Sequence, residues 1–221
     1  MGMFDKFKSY RETQNKKSAE KFGETLKRKL TTKEQRLEAI EALEGMPPEI
    51  SLPHLIKRYE LVVESGIQDM REKEIVEEAF LRHKDAARPV VIEALKSMRR
   101  VSWPVRIAEK LFPREEYIGL LYGALNLDDA LFDESVQERN CEILLALKDI
   151  DDPGVVEKAT KLVRSRDEGV RMAAIECLEA HAAQSEHAKV TLLELLKEAP
   201  TDSNSRLLGI VRSVAQRHNW V

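Results

Sequence analysis

Residues 152–182 read DPGVVEKATKLVRSRDEGVRMAAIECLEAHA. The stretch predicts two helices and a turn. Pro153 suits a first helical turn, where the N–H it lacks would have no intrahelical partner. Val155, Val156, Ala159, Leu162 and Val163 then fall on one face at helical spacing. Arg164 to Gly169 forms the turn, with Asp167 as the cap of a second helix. That helix carries Val170, Ala173, Ala174, Ile175 and Leu178 on its own apolar face. A single hairpin cannot bury two such faces, so neighbouring hairpins must stack on it.

The same unit recurs along the chain. Arg36, Arg71, Arg106, Arg139, Arg171 and Arg206 are spaced by 35, 35, 33, 32 and 35 residues. Four positions after each stand Ile40, Ile75, Lys110, Ile143, Ile175 and Ile210. Four positions before each stand Thr32, Ile67, Ser102, Ser135, Asp167 and Asp202, five of which are good N-cap residues. Beside Ile67, Asp69 is the expected cap. Each unit therefore reads as a helix that caps, carries arginine in its first turns and buries an apolar residue one turn later. A preceding helix is expected to start at Pro53, Pro89 and Pro153, which lie 17 or 18 residues before Arg71, Arg106 and Arg171. Turns are expected at Glu64 to Gly66, Arg99 to Ser102, Asp128 to Asp133, Arg164 to Gly169 and Pro200 to Ser203. Between 112 and 134 the pattern weakens, with no proline read as starting the first helix.

Asp152-Pro153, an apolar helix, and then Val170-Arg171-Met172-Ala173-Ala174 resemble the HEAT-like (armadillo-type) helical repeat family. Val105-Arg106 repeats the Val-Arg pair. The resemblance is good over 151–183 and recognisable over roughly 31–218. It implies an all-α fold, an α-solenoid (right-handed superhelix) of about six HEAT-like helix hairpins, with the second helices lining a concave side. Two domains follow from this reading: a basic amphipathic helical extension over 1–31 and a repeat domain over 32–221.

Composition agrees with helices. Of 221 residues, 34% are charged and 43% hydrophobic, with nine Gly and eight Pro. The charge excess suits solvated outer faces, and the apolar share supplies a core. The formal net charge of −3 gives no sign of a nucleic-acid binder. Apolar runs such as Ile143 to Leu147 fall far short of a membrane span. The start MGMFDKFK has no apolar stretch of the secretory kind, and Lys6 stands where myristoylation wants Ser or Thr. Cys141 and Cys177 sit in helical segments and read as buried thiols, not as a disulfide or metal pair. The cytoplasm is the expected compartment.

The first 31 residues stand apart. They hold nine Lys or Arg against four Asp or Glu, whereas the rest of the chain holds 27 against 35. Ala19, Phe22, Leu26 and Leu30 recur at helical spacing and suit a cap over the open end of the stack. Phe4, Lys6, Phe7, Lys8 and Arg11 also fit a basic amphipathic helix that touches an anionic membrane or an acidic partner. A disordered tail is the third reading.

Nothing in the sequence resembles a catalytic site. There is no phosphate-binding glycine loop, no Gly-x-Ser-x-Gly, no His-Glu-x-x-His and no Cys-x-x-Cys. HEAT-like hydroxylases hold iron through His-Glu pairs, and none of the five histidines here is followed by Glu. No metal or other cofactor is expected. DNA glycosylases built from HEAT-like repeats use a basic groove. Here Glu38, Glu74, Glu109, Glu142 and Glu176 accompany the arginines and cancel the field that a phosphate backbone needs. Bilin lyases are the other enzymes with such repeats, and no feature here singles them out. The expected function is a non-enzymatic scaffold or adaptor that binds another protein on the concave face. Trp103, Arg106, Arg139, Arg171 and Arg206 are the candidate contacts. For the arginines the competing reading is structural, as bonds to turns and acidic residues of neighbouring repeats. For Trp103 it is packing in a turn, and for the acidic group Asp128, Asp129, Asp133 and Glu134 a solvated turn.

Overall fold

The computed structural model describes residues 3–128, 133–198 and 205–221, with side chains from residue 13 onward. Phe4, Lys6, Phe7, Lys8 and Arg11 therefore fall outside the described side chains. Asp129, Asp202 and the 200–203 turn fall outside the described residues. Among the described residues there are twelve α-helices and one 3-10 helix, with no strand. No described helix is long and apolar enough to cross a membrane.

The chain divides into two compact units, Met1–Tyr117 and Ile118–Val221. In the first, α1 (Met3–Lys27) is followed by α2 (Lys33–Glu44), α3 (Pro48–Leu55), a 3-10 segment (Ile56–Glu60), α4 (Gly66–Arg82), α5 (Lys84–Ser97) and α6 (Ser102–Leu111). Helices α2, α4 and α6 touch in that order, and α1, α3 and α5 likewise, so two rows of helices share one core. The second unit repeats the scheme with α8 (Glu134–Leu147), α9 (Pro153–Leu162), α10 (Glu168–His181), α11 (Glu186–Leu195) and α12 (Ser205–Arg217). There α8, α10 and α12 make one row and α9 and α11 the other. Helix α7 (Arg114–Ala124) spans the division. The six recurring arginines all stand on the even-numbered helices. One turn on, Ile40, Ile143 and Ile175 are buried, while Ile75 and Ile210 are only half-buried.

Capping follows the sequence in part. Thr32 closes a capping box with Gln35: the Thr32 hydroxyl accepts from the Gln35 N–H at 3.3 Å, and the Gln35 amide oxygen accepts from the Thr32 N–H at 2.9 Å. Asp167 caps α10 by accepting from Val170 N–H at 2.9 Å. Asp152 caps α9, with Pro153 in the first turn. Thr32→Ala removes half of the reciprocal pair, and the expected cost is about 1 kcal/mol. Equilibrium denaturation should show it as a lower midpoint at unchanged slope.

Several starts differ from expectation. Asp133, not Ser135, caps α8, because its carboxylate reaches the N–H groups of Ser135 and Val136. Ser102 is the first residue of α6, and Val101 stands at the cap position in its place. Asp69 does not cap α4, which begins at Gly66 with no side-chain cap at all; its carboxylate is drawn to Arg58, Lys73 and the Val63 N–H. Pro53 and Pro89 lie inside α3 and α5. The pair Pro47-Pro48 already starts α3, and α5 follows α4 after His83 alone. Burial of Val91, Ala94 and Leu95 offsets the backbone bond that Pro89 cannot make. Between 112 and 134 a proline does precede the first helix: Pro113 stands just before α7, and its carbonyl accepts from Tyr117 N–H at 2.9 Å.

Helix α1 lies against α2, α3 and the 3-10 segment. Ala19, Gly23 and Leu26 form its buried face, and Phe22 is half-buried. Gly23 is required by close approach, since a Cβ there would fall 2.9 Å from the His54 Cβ. Leu30 does not join this face. It is 98% exposed, because the helix ends at Lys27 and its period ends with it.

Candidate functional site

The even-numbered helices of the first unit carry an uncommon burden of buried charge. The 3-10 segment after α3 turns Arg58 fully inward, between α2 and α4. On α4, Asp69, Glu72, Lys73 and Glu77 share a helical stripe with Val76 and Phe80, so the charged residues are carried into the core with the apolar ones. Glu72 is the hub. Its Oε2 accepts from Arg36 Nε and Arg58 Nε, both at 2.8 Å, and its Oε1 from Arg36 Nη2 at 3.0 Å and Gln68 Nε2 at 2.8 Å. Four donors fill the carboxylate, so a group only 1% exposed keeps its charge.

The outer bonds tie this hub to backbone. Arg36 Nη1 donates to the Thr31 carbonyl, and Arg58 Nη1 donates to Leu61 O at 2.8 Å. Asp69 accepts from Arg58 and from Lys73, each at 2.7 Å. Burial alone would raise both acids. The hydrogen bonds from Arg36, Gln68 and Arg58 at Glu72, and from Lys73 and Arg58 at Asp69, outweigh it and hold both below the usual carboxylate range.

Next along the row, the Trp103 ring stacks on buried Tyr59, with centroids 5.4 Å apart and planes 5° from parallel. The Arg106 guanidinium lies 4.7 Å from the Trp103 centroid. Arg106 Nε also meets Glu77 at 2.9 Å, and Lys110 meets the same oxygen at 2.6 Å. Trp103, in the first turn of α6, is half-buried in this stack. Tyr59 donates its hydroxyl to Lys73 O at 3.2 Å, and burial pushes that phenol up.

The candidate contacts of the second unit have partners within the chain. Arg171 Nη1 donates to Ser165 O at 2.7 Å and Arg166 O at 2.9 Å, closing the turn before its own helix. Arg206 reaches back 38 residues to Glu168 at 3.3 Å, on the surface. Arg139 is buried in α8. Ties of similar length join Arg82 to Glu44 and Arg217 to Glu179. Within the first unit Trp103 and Arg106 form one cluster, and within the second Arg139, Arg171 and Arg206 stand on three separate helices.

Arg71 is a different case. It is exposed and makes no ion pair among the described residues. It lines a groove of about 460 Å³ between α2 and α4, together with Lys33, Leu37, Ile67, Gln68 and Ile75. Neither this groove nor the Arg58–Glu72 hub beneath it was legible as a site. The available signal was the placement of Asp69, Glu72 and Lys73 on the stripe of Val76 and Phe80.

Among the described residues no three His, Cys, Asp or Glu side chains converge so as to hold a metal. Cys141 and Cys177 are free. Burial pushes their thiols up, to about 11 and about 12. The thiolate is the reactive species. Cys177 should therefore resist iodoacetamide at pH 8 in the folded protein and react once denaturant is added. Rapid labelling of Cys177 in the native state, followed by mass spectrometry, would show that α10 opens on the labelling timescale.

Compared with protein-family models, curated proteins and solved structures, the chain has no significant match in any of the three.

Proposed function

We propose that the chain is a non-enzymatic scaffold of HEAT-like hairpins, each unit a run of α-solenoid, working in the cytoplasm and binding a partner protein on the face of its even-numbered helices. The observation that carries this reading is the two-row order: α2, α4 and α6 in one unit, and α8, α10 and α12 in the other, each backed by a second row. Such rows present broad, ordered surfaces, so little ordering entropy opposes binding. The same face bears the α2–α4 groove, with exposed Ile67 and Met70 beside it.

Hydrogen exchange on the complex captured from the source cells tests this. Protection confined to peptides from the even-numbered helices supports it. Protection confined to residues 13–27 moves function to α1. Failure to capture any protein, together with duplex-DNA binding that falls steeply with salt, would replace the reading with a nucleic-acid one.

A further inference from the structure

We propose that the groove between α2 and α4 docks a short acidic peptide segment of a partner protein, with a large apolar side chain seated between two or more carboxylates. This rests on the scaffold reading and adds the chemistry of the partner. The apolar part of the groove is Leu37, Ile67 and Ile75. Leu37 and Ile75 are half-buried, and Ile67 stands 89% exposed in the first turn of α4, which leaves it free to close over an inserted side chain. Apolar surface of this kind is lost from water only when something covers it.

The charge around the groove selects the occupant. Lys33 and Arg71 line it, and neither makes an ion pair among the described residues. Helix α4 starts beside them with no side-chain cap, so its first-turn N–H groups and the positive end of its dipole add to the same side. The one acid lining the groove, Glu72, is already engaged by Arg36 and Arg58 from below. Among the residues that line the groove, the charges left to meet an incoming peptide are therefore the two cations, set around an apolar centre. Carboxylates flanking an aliphatic or aromatic residue complement it, whereas lysines there would meet repulsion.

The test uses a random peptide library displayed on phage and selected on the immobilised full chain, followed by anisotropy titrations with the enriched peptides made synthetically. The expected result is a consensus with two or more Asp or Glu around a large apolar residue. Replacing its acids by amides, or its apolar residue by alanine, should weaken binding about ten-fold or more. The double variant Lys33→Glu/Arg71→Glu should lose binding to a similar degree while melting like the parent, since both side chains are exposed. Ile67→Ala should weaken it without touching the charge. Lys197→Glu, exposed just after α11 in the second unit, should leave it unchanged. The proposal is overturned by a neutral or basic consensus, by no consensus, or by acidic peptides that bind the Lys33→Glu/Arg71→Glu variant as well as the parent. The last result would leave the scaffold reading standing with its site elsewhere, whereas loss of the scaffold reading shows in the exchange experiment on the captured complex.

Discussion

Glu72→Ala is expected to destabilise the first unit by about 3–5 kcal/mol, the range for leaving a buried charge without its counterion. The reason lies in what stays behind. Arg36 and Arg58 are 4% and 0% exposed, and each directs its Nε at the Glu72 Oε2. Without the carboxylate, two guanidinium groups remain in the core with only Asp69 and backbone carbonyls to meet them. Removing all three charges is a different matter. Arg36→Met/Arg58→Met/Glu72→Leu exchanges an ionic hub for apolar volume and should cost far less than Glu72→Ala alone, because the desolvation penalty goes with the charges. Trp103 supplies the signal, since it stacks on Tyr59 next to Arg58; Trp220→Phe removes the chain's other tryptophan. A loss under about 1 kcal/mol for Glu72→Ala would mean that both arginines find water by a small movement, and that the hub is not sealed.

The same hub sets a pH dependence. Glu72 and Asp69 are held below their ordinary values in the folded state. A depressed acid binds fewer protons folded than unfolded, so its stabilisation is fully present above the unfolded value, about 4 for both residue types, and is lost as pH falls through the lower folded value. Unfolding free energy should thus be level in this respect from neutral pH down to about 5 and drop below about 4. The Met/Met/Leu variant should show a shallower acid limb, since it has lost the Glu72 share.

What the sequence made plain was periodic. The arginine spacing found every even-numbered helix, because a residue that recurs every 32–35 positions on a helical background is a pattern in sequence order alone. What it concealed was local competition among groups that look alike in one dimension. Asp133 and Ser135 both suit a cap, and the carboxylate prevailed because it reaches two N–H groups at once. Pro53 and Pro89 look like helix starts, but Pro47-Pro48 and the short link at His83 had already begun those helices. Arg58 belongs to no repeat; it faces inward because the chain tightens to a 3-10 segment there. The six arginines, equivalent by spacing, end in different surroundings: Arg36 is sealed with Glu72, Arg171 closes a turn, and Arg71 is left at the edge of a groove. Equal spacing fixes a residue's place on its helix, and the neighbouring helix then decides its partner.

Leu144→Ala and Leu145→Ala should differ by several kcal/mol, though the two residues are adjacent in the apolar run Ile143 to Leu147. Composition cannot separate them; the helix period does. Ile143, Leu144 and Leu147 are fully buried on the side of α8 that meets α10, while Leu145 is rotated outward and 42% exposed. Truncating Leu144 removes buried methyl groups and leaves a cavity among side chains held by two helices, which costs about 2–5 kcal/mol. Truncating Leu145 removes surface already in contact with water, and alanine's better helix propensity works the other way, so the net change should lie within about 0.5 kcal/mol. Trp220, with Trp103→Phe as background, reports on this unit through its stack on His218. Equal and large losses would mean that Leu145 is covered in solution by something on that face. Equal and small losses would mean that α8 packs loosely enough on α10 to close the cavity, and that the buried stripe of this repeat contributes less than its burial implies.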